Sequence, residues 1–416
     1  MSALPDDVLT GMLADTWWFA LTQRLPDDAF QALAKRRVKQ GFTAVQLVVG
    51  IPPEVGPEHD SASSPVGPAW TLTGTFNDQY LAFARQRIQY LNKQGLRVIV
   101  YGAWGHQIEW LGLDGMLGWW HRIIATLDDL DVIYCLTGES NLWLSGEAAH
   151  LLPDKTTTDF PVNQLREWVG RLPYRLQDLL IRGMQRAKRP FAEQKQSERR
   201  QLWSQVLAEV RQLTERPFII HTLPQETSET VVDNPQLLAA ITTQTGHSET
   251  MRAQLWQRPL AAADKPFINL EPWYEGILGG FGPDDQLYAY WVSMLAGSQS
   301  YCYGAHGIWN VGDGHFLAQW GGQTFFEAIA LDTPRLLALS HQHYLASGCQ
   351  SGQTFYETSE NQLLTIGRRS AERLVQFFPD VGRVTAVPDG QIWLPLQGCW
   401  TDLLPAKGPV VFFGGE

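Results

Sequence analysis

Residues Gly95–Glu139 read GLRVIVYGAWGHQIEWLGLDGMLGWWHRIIATLDDLDVIYCLTGE. The two ends of this stretch, Leu96–Gly102 and Asp131–Thr137, are short apolar runs rich in β-branched and aromatic residues. Between them the spacing predicts a helix over Gly115–Asp128. Strands that are apolar almost without interruption, joined by a helix, are parallel strands covered on both faces. The same unit recurs in both directions along the chain.

On the N-terminal side, Gly11–Asp15 and Phe42–Val49 read as strands. Helices are expected over Asp27–Gln40, stopped by Gly41, and over Asp78–Gln94. The Pro- and Gly-rich stretch Gly50–Phe76 is too long for a simple connector and is a candidate active-site loop. On the C-terminal side, strands are expected at Pro217–Thr222, Leu238–Gln244, Pro266–Glu271 and Gln299–Tyr303. Helices are expected at Arg199–Glu215, Glu249–Ala262, Asp284–Ala296 and Thr324–Leu339.

Eight strands alternating with helices predict a (β/α)8 TIM barrel over residues 1–340, interrupted by a basic, mostly helical insertion at about 141–198. A doubly wound open sheet is the alternative, but neither GxGxxG nor GxxxxGK[ST] follows any strand. After about residue 341 the pattern changes to short strands and turns, which predicts a small β-sandwich-like C-terminal domain over 341–416.

Composition narrows the function. Against 43 acidic residues stand 32 Lys and Arg, a net charge of −11. Neither a nucleic-acid partner nor an anionic membrane surface suits that balance. The basic run Arg182–Arg200 reads as a solvated helical face. No basic leader precedes an apolar stretch at the N-terminus, and no uncharged run is long enough for a membrane-spanning helix, so a cytoplasmic location is expected. The four cysteines are scattered, without CxxC, as suits reduced thiols. The 17 tryptophans are roughly three to four times the usual load and point to an aromatic cleft.

Barrel enzymes place their chemistry at the C-terminal ends of the strands. Those ends are polar and aromatic here: Asp15, Trp17 and Trp18 after the first strand; Gln46 on the second; Trp104 and His106 after the third; Glu139 and Asn141 after the fourth. His221 ends the fifth and Gln244 the sixth, with His247 beyond it. Glu271, Trp273, Tyr274 and Glu275 end the seventh, and His306 and Trp309 follow the eighth. Carboxylates after strands four and seven face each other across a barrel and can divide the work of acid and nucleophile on a glycosidic bond. Glu271 and Glu275 compete for the nucleophile; Glu271, nearer the strand end, is expected to take that role. Asp15 is read equally as a substrate-hydroxyl acceptor or as the partner of a barrel arginine.

The remaining polar and aromatic residues at these ends are expected to hydrogen-bond or stack on sugar. The histidines come from four different strand ends, and the only HxH, His341–His343, lies beyond the barrel. They are therefore expected to meet sugar hydroxyls rather than a metal, and no cofactor is expected. A metal-dependent barrel hydrolase and a non-catalytic carbohydrate-binding barrel are the alternatives. The sequence assigns no oligomeric state.

Seven runs, in order, resemble the catalytic domain of apiosidase-like glycoside hydrolases: LADTWW (13–18), QGFTAVQLVVG (40–50), YGAWGHQIEW (101–110), CLTGES (135–140), TTQTGHSE (242–249), NLEPWYEG (269–276) and YCYGAHGIW (301–309). The resemblance spans roughly residues 10–340. It implies a TIM barrel acting on carbohydrate, commonly plant cell-wall glycans, often with a small C-terminal β-sandwich. By motif it puts the acid/base on Glu139 and the nucleophile on Glu271. Where the family often has Gly-Gly-Asp, this chain has Thr137-Gly138-Glu139, one methylene longer.

Overall fold

The computed structural model describes residues 8–142, 174–262, 265–360, 362–384 and 390–415. Eight parallel strands form one sheet: β1 (Leu13–Thr16), β2 (Ala44–Val48), β3 (Arg97–Tyr101), β4 (Val132–Cys135), β5 (Phe218–Ile219), β6 (Ile241–Gln244), β7 (Phe267–Glu271) and β8 (Ser300–Tyr303). Their order is β5-β4-β3-β2-β1-β8-β7-β6. The row meets itself between β5 and β6, where the Ala239 N–H donates to the Phe218 carbonyl (2.8 Å) and the Thr242 hydroxyl to that of Ile220. This is the expected (β/α)8 barrel. Nearly every strand residue is buried, which is why the strands read as unbroken apolar runs rather than as alternation.

The outer helices are α1 (Asp27–Gln40), α2 (Asp78–Lys93), α3 (Ile108–Leu127), α4 (Tyr174–Val210), α5 (Gln254–Ala261) and α6 (Pro283–Ala296). Several helices depart from the expected boundaries, α5 by starting at Gln254 rather than Glu249. α3 begins at Ile108 rather than Gly115, because Gly112 carries the chain through φ 69°, ψ 173°, a conformation closed to other residues, and the helix resumes beyond it. The helix expected from Arg199 is the C-terminal part of the 37-residue α4. It is anchored by Trp203, whose indole N–H reaches the Gly105 carbonyl at 3.1 Å, and by buried Arg199, 3.3 Å from Glu109. Residues 143–173 of the expected insertion lie outside the described residues. After the short α7 (His306–Trp309), the single helix expected over Thr324–Leu339 is two: α8 (Phe325–Ala330) and α9 (Thr333–Ser347). Pro334 starts the second, and Gly348 at φ 69° ends it.

Beyond α9 lies a six-stranded antiparallel sheet of β9 (Gln353–Ser359), β10 (Gln362–Arg369), β11 (Arg373–Phe378), β12 (Gln391–Leu394), β13 (Cys399–Thr401) and β14 (Val410–Gly415), in the order β13-β12-β14-β11-β10-β9. It is apolar on both faces. Ile366, Val375, Phe377, Trp393 and Val411 join the barrel core, with Trp291 of α6 stacked on Phe377 and the Trp393 indole donating to Ser340 of α9. Phe378, Ile392, Val410 and Phe412 form a second, smaller core with Val381. Among the described residues no helix is long and apolar enough to cross a membrane.

One buried ion pair ties helix to barrel. Arg37 of α1 reaches the Asp15 carboxylate of β1 at 2.6 Å, and neither side chain is exposed. The Trp17 indole (2.7 Å) and the Thr16 N–H (3.0 Å) occupy the same carboxylate. Of the two roles open for Asp15, the arginine partner is the one present. Asp15→Ala leaves a guanidinium buried without its counter-charge, so denaturant unfolding should show a loss of about 3–5 kcal/mol. A loss under about 1 kcal/mol, the size of an exposed pair, would show that the pair carries no such weight.

Candidate active site

Glu139 stands four residues beyond the end of β4 with its backbone at φ 41°, a region that costs energy for any residue but glycine. Its surroundings hold it there. A Cβ on Gly105 would lie 2.1 Å from the Glu139 carbonyl, and a Cβ on Gly138 would lie 2.3 Å from the Trp104 ring. Glycine at both positions lets Trp104 lie flat on the β4 loop. From there its indole N–H donates to Glu139 Oε2 at 3.0 Å, while the Gln244 side-chain amide donates to Oε1 at 2.8 Å.

Glu271 ends β7, where the pairing with β6 slips by a residue between Thr243 and Gln244. Two imidazoles face its carboxylate. His247 Nε2 lies 3.0 Å from Oε1, and His221 Nε2 lies 3.5 Å from Oε2. The other nitrogen of each ring accepts a backbone N–H: Nδ1 of His247 from Tyr274 (3.3 Å), and Nδ1 of His221 from Glu139 itself (3.1 Å).

The two carboxyls are pushed in opposite directions. Burial, then the charge of Glu271, lifts Glu139 to about 7, against the pull of its Trp104 and Gln244 donors. Glu271 is equally buried, but the His247 hydrogen bond, the two imidazoles and the adjoining Tyr274 hydroxyl outweigh burial and hold it below the ordinary glutamate value. His221 is pushed down to about 4 by burial and stays neutral. At neutral pH this gives one carboxyl that holds a proton readily and one that does not, facing each other across the mouth.

The other expected site residues fall into two groups. Around the carboxyls lie Trp104, Gln244, His221, His247 and Tyr274, whose ring packs over Gly304 and 4.7 Å from that of His247. Trp18 packs edge-on against Trp104 and Tyr101, and His106 lies against Trp110. His306 gives its Nε2 to the Gly321 carbonyl (2.6 Å) and packs on Trp309; His306 Nδ1 and the Trp309 indole N–H are buried without partners among the described residues.

The second group is bound into the scaffold. Gln46 spans the barrel interior, donating to Thr16 and the Leu270 carbonyl and accepting from Tyr101. Asn141 accepts the Leu223 N–H, Trp17 serves Asp15, and Trp273 donates to the Ser248 carbonyl beneath Arg252. Glu275 points away from Glu271, its oxygens bonded to the hydroxyls of Tyr303 (2.6 Å) and Thr333 (2.7 Å). None of Trp17, Trp18, Trp104, Trp273 and Trp309 is more than 4% exposed.

Glu54, in the loop after β2, is not singled out by the sequence, yet its charge reaches Glu139. Its backbone at φ 67° is a second left-handed, non-glycine position; nothing in the Pro/Gly-rich loop marks it beforehand. Among the described residues no three His, Cys, Asp or Glu side chains are grouped so as to hold a metal.

A family model, "Apiosidase-like, catalytic domain", matches residues 11–330. No curated protein matches the chain. Among solved structures, one described as a glycoside hydrolase aligns at TM-score 0.67 and 14% identity, covering 97% of this chain and 92% of that one. A glycoside hydrolase family 5 structure from Bacteroides vulgatus ATCC 8482 aligns at TM-score 0.66 and 14% identity, over 97% and 88% of the two chains. At these identities the structural likeness speaks to the fold alone.

Followed by 13C NMR of the glutamate carboxyls, Glu139 should titrate near its shifted value of about 7, and at a lower pH in Glu271→Gln. A midpoint near the ordinary value of about 4.3 would contradict the arrangement. The raised value also sets a sign for stability. Between about 4.3 and the Glu139 midpoint the folded chain binds a proton that the unfolded chain has released. Stability relative to Glu139→Gln should therefore fall as pH rises through that window.

Proposed function

The chain belongs to the apiosidase-like catalytic-domain family, and from that premise we propose that it is a retaining glycoside hydrolase acting on a plant-type or other complex glycan. Glu139 is the acid/base and Glu271 the nucleophile. The observation that carries this reading is the different donor set of two carboxyls at the ends of β4 and β7: an indole and an amide on Glu139, two imidazoles on Glu271.

Glu271 attacks the anomeric carbon as Glu139 passes its proton to the departing glycosidic oxygen, so that the bond pair leaves on a neutral alcohol. The Trp104 and Gln244 donors then bond to a Glu139 carboxylate, which charge-assisted hydrogen bonds favour over the neutral acid. In the second step Glu139 takes a proton from water, the water oxygen joins the anomeric carbon, and the Glu271 carboxylate leaves. Trp18, Trp104, His106 and Trp309 supply the ring contacts around the mouth. Asp15, Gln46, Asn141, Trp17, Trp273 and Glu275 act through the scaffold, Tyr274 beside the nucleophile.

Screening aryl glycosides, pyranosides and furanosides alike, should identify a turned-over sugar, with the product anomer retained by 1H NMR. Glu139→Gln and Glu271→Gln should each lower kcat/KM by at least about 10³-fold with the circular dichroism unchanged. Dinitrophenyl glycosides, whose leaving group needs no proton, should be spared in Glu139→Gln alone. The kcat/KM profile of the parent should fall on the alkaline side near the Glu139 value of about 7. On glycosides whose leaving group needs a proton, activity within tenfold of the parent in either variant, or an inverted product, rejects the assignment.

A further inference from the structure

We propose that His221 and His247 are positioning residues that work only as neutral Nε2–H donors, a clamp whose tautomers are set by two backbone N–H groups, one of them that of Glu139. The proposal deepens the reading of Glu271 as nucleophile and rests on it.

A backbone N–H can only donate. Nδ1 of His221, 3.1 Å from the Glu139 nitrogen, and Nδ1 of His247, 3.3 Å from the Tyr274 nitrogen, must therefore both present a lone pair. A neutral imidazole with Nδ1 unprotonated carries its proton on Nε2, and each Nε2 faces one oxygen of Glu271. Protonating either ring would set two N–H groups against each other at Nδ1, and burial also pushes His221 down. Glu271 is thus held by uncharged donors, which orient it and favour its ionised form without the ion pair that would blunt its nucleophilicity.

The two arms differ. The His247 contact is a hydrogen bond of 3.0 Å. The His221 contact is 3.5 Å, and among the described residues Nε2 of this buried ring has no hydrogen-bond partner. His247 is therefore the arm that sets the resting charge of Glu271, and His221 is a donor held in reserve beside the other oxygen. His221 also links the two carboxyls. The strained peptide that carries Glu139 selects its tautomer, so acid and nucleophile share one imidazole. The other titratable groups facing Glu271 are Glu139 from β4, Tyr101 from β3 and Tyr274 from its own loop. Cys302 of β8 faces Tyr274, and Glu54 faces Glu139. None of these supplies a cation that would replace the clamp.

The test needs no substrate, which separates its failure from failure of the hydrolase reading. In 15N NMR of the imidazole-labelled chain at neutral pH, both rings should be Nε2–H tautomers. An Nδ1–H tautomer or an imidazolium at either position overturns the proposal. With Glu139→Gln as background, 13C titration should place the Glu271 midpoint about one unit higher after His247→Ala. His247→Gln, whose amide N–H reaches about where Nε2–H did, should restore most of the shift. An unchanged midpoint in His247→Ala, or no recovery in His247→Gln, overturns the clamp. If turnover is found, the acid limb of kcat/KM should move to higher pH in His247→Ala and back in His247→Gln.

Discussion

Two carboxyls in a buried barrel mouth cannot both carry full charge cheaply, and the site is organised around that constraint. Each has a different set of donors. Glu139 meets an indole and an amide, which partly offset burial and leave it near 7; Glu271 meets two imidazoles, which more than offset burial. The difference between the two carboxyls thus comes from neighbours, since the two side chains are the same residue type.

The scaffold makes those neighbours possible. Gly138 and Gly105 leave room for Trp104 and for the Glu139 carbonyl, and the slip between β6 and β7 brings Gln244 opposite Glu271. Beneath the site, polar groups of the barrel interior pair with one another: Asp15 with Arg37, Gln46 with Thr16, Tyr101 and Leu270. Paired groups of this kind stay where they are, which gives the strand-end loops a rigid floor.

Much of the barrel was legible in the sequence, because a parallel strand covered on both faces leaves an apolar run that does not depend on its partners. Gly95–Glu139 alone shows a whole strand-helix-strand unit. Helix limits were less legible where glycine intervened: Gly112 looks like a stop but is a kink. The order of residues at strand ends likewise marked Glu139, Glu271, His221, His247, Trp104 and Gln244, since the C-terminal end of a barrel strand must face the mouth. Direction beyond the strand end was not legible. Asp15 and Glu275 are carboxyls as near a strand end as Glu139 and Glu271, yet one meets Arg37 and the other Tyr303 and Thr333. Nor was the tryptophan excess a direct sign of a cleft, for the strand-end indoles are buried and several serve as struts.

By itself, then, the amino-acid sequence determined the alternation of strands and helices, the polarity of the mouth and the residue types available there, because these follow from local periodicity and chain order. Tertiary structure alone decided which carboxyl keeps its proton, which imidazole nitrogen faces it, and that Glu54, from a loop without pattern, comes near. Protonation and tautomer depend on burial and on hydrogen bonds between residues as far apart as Glu139 and His221, or Glu139 and Gln244, and only folding brings those groups within a few ångströms.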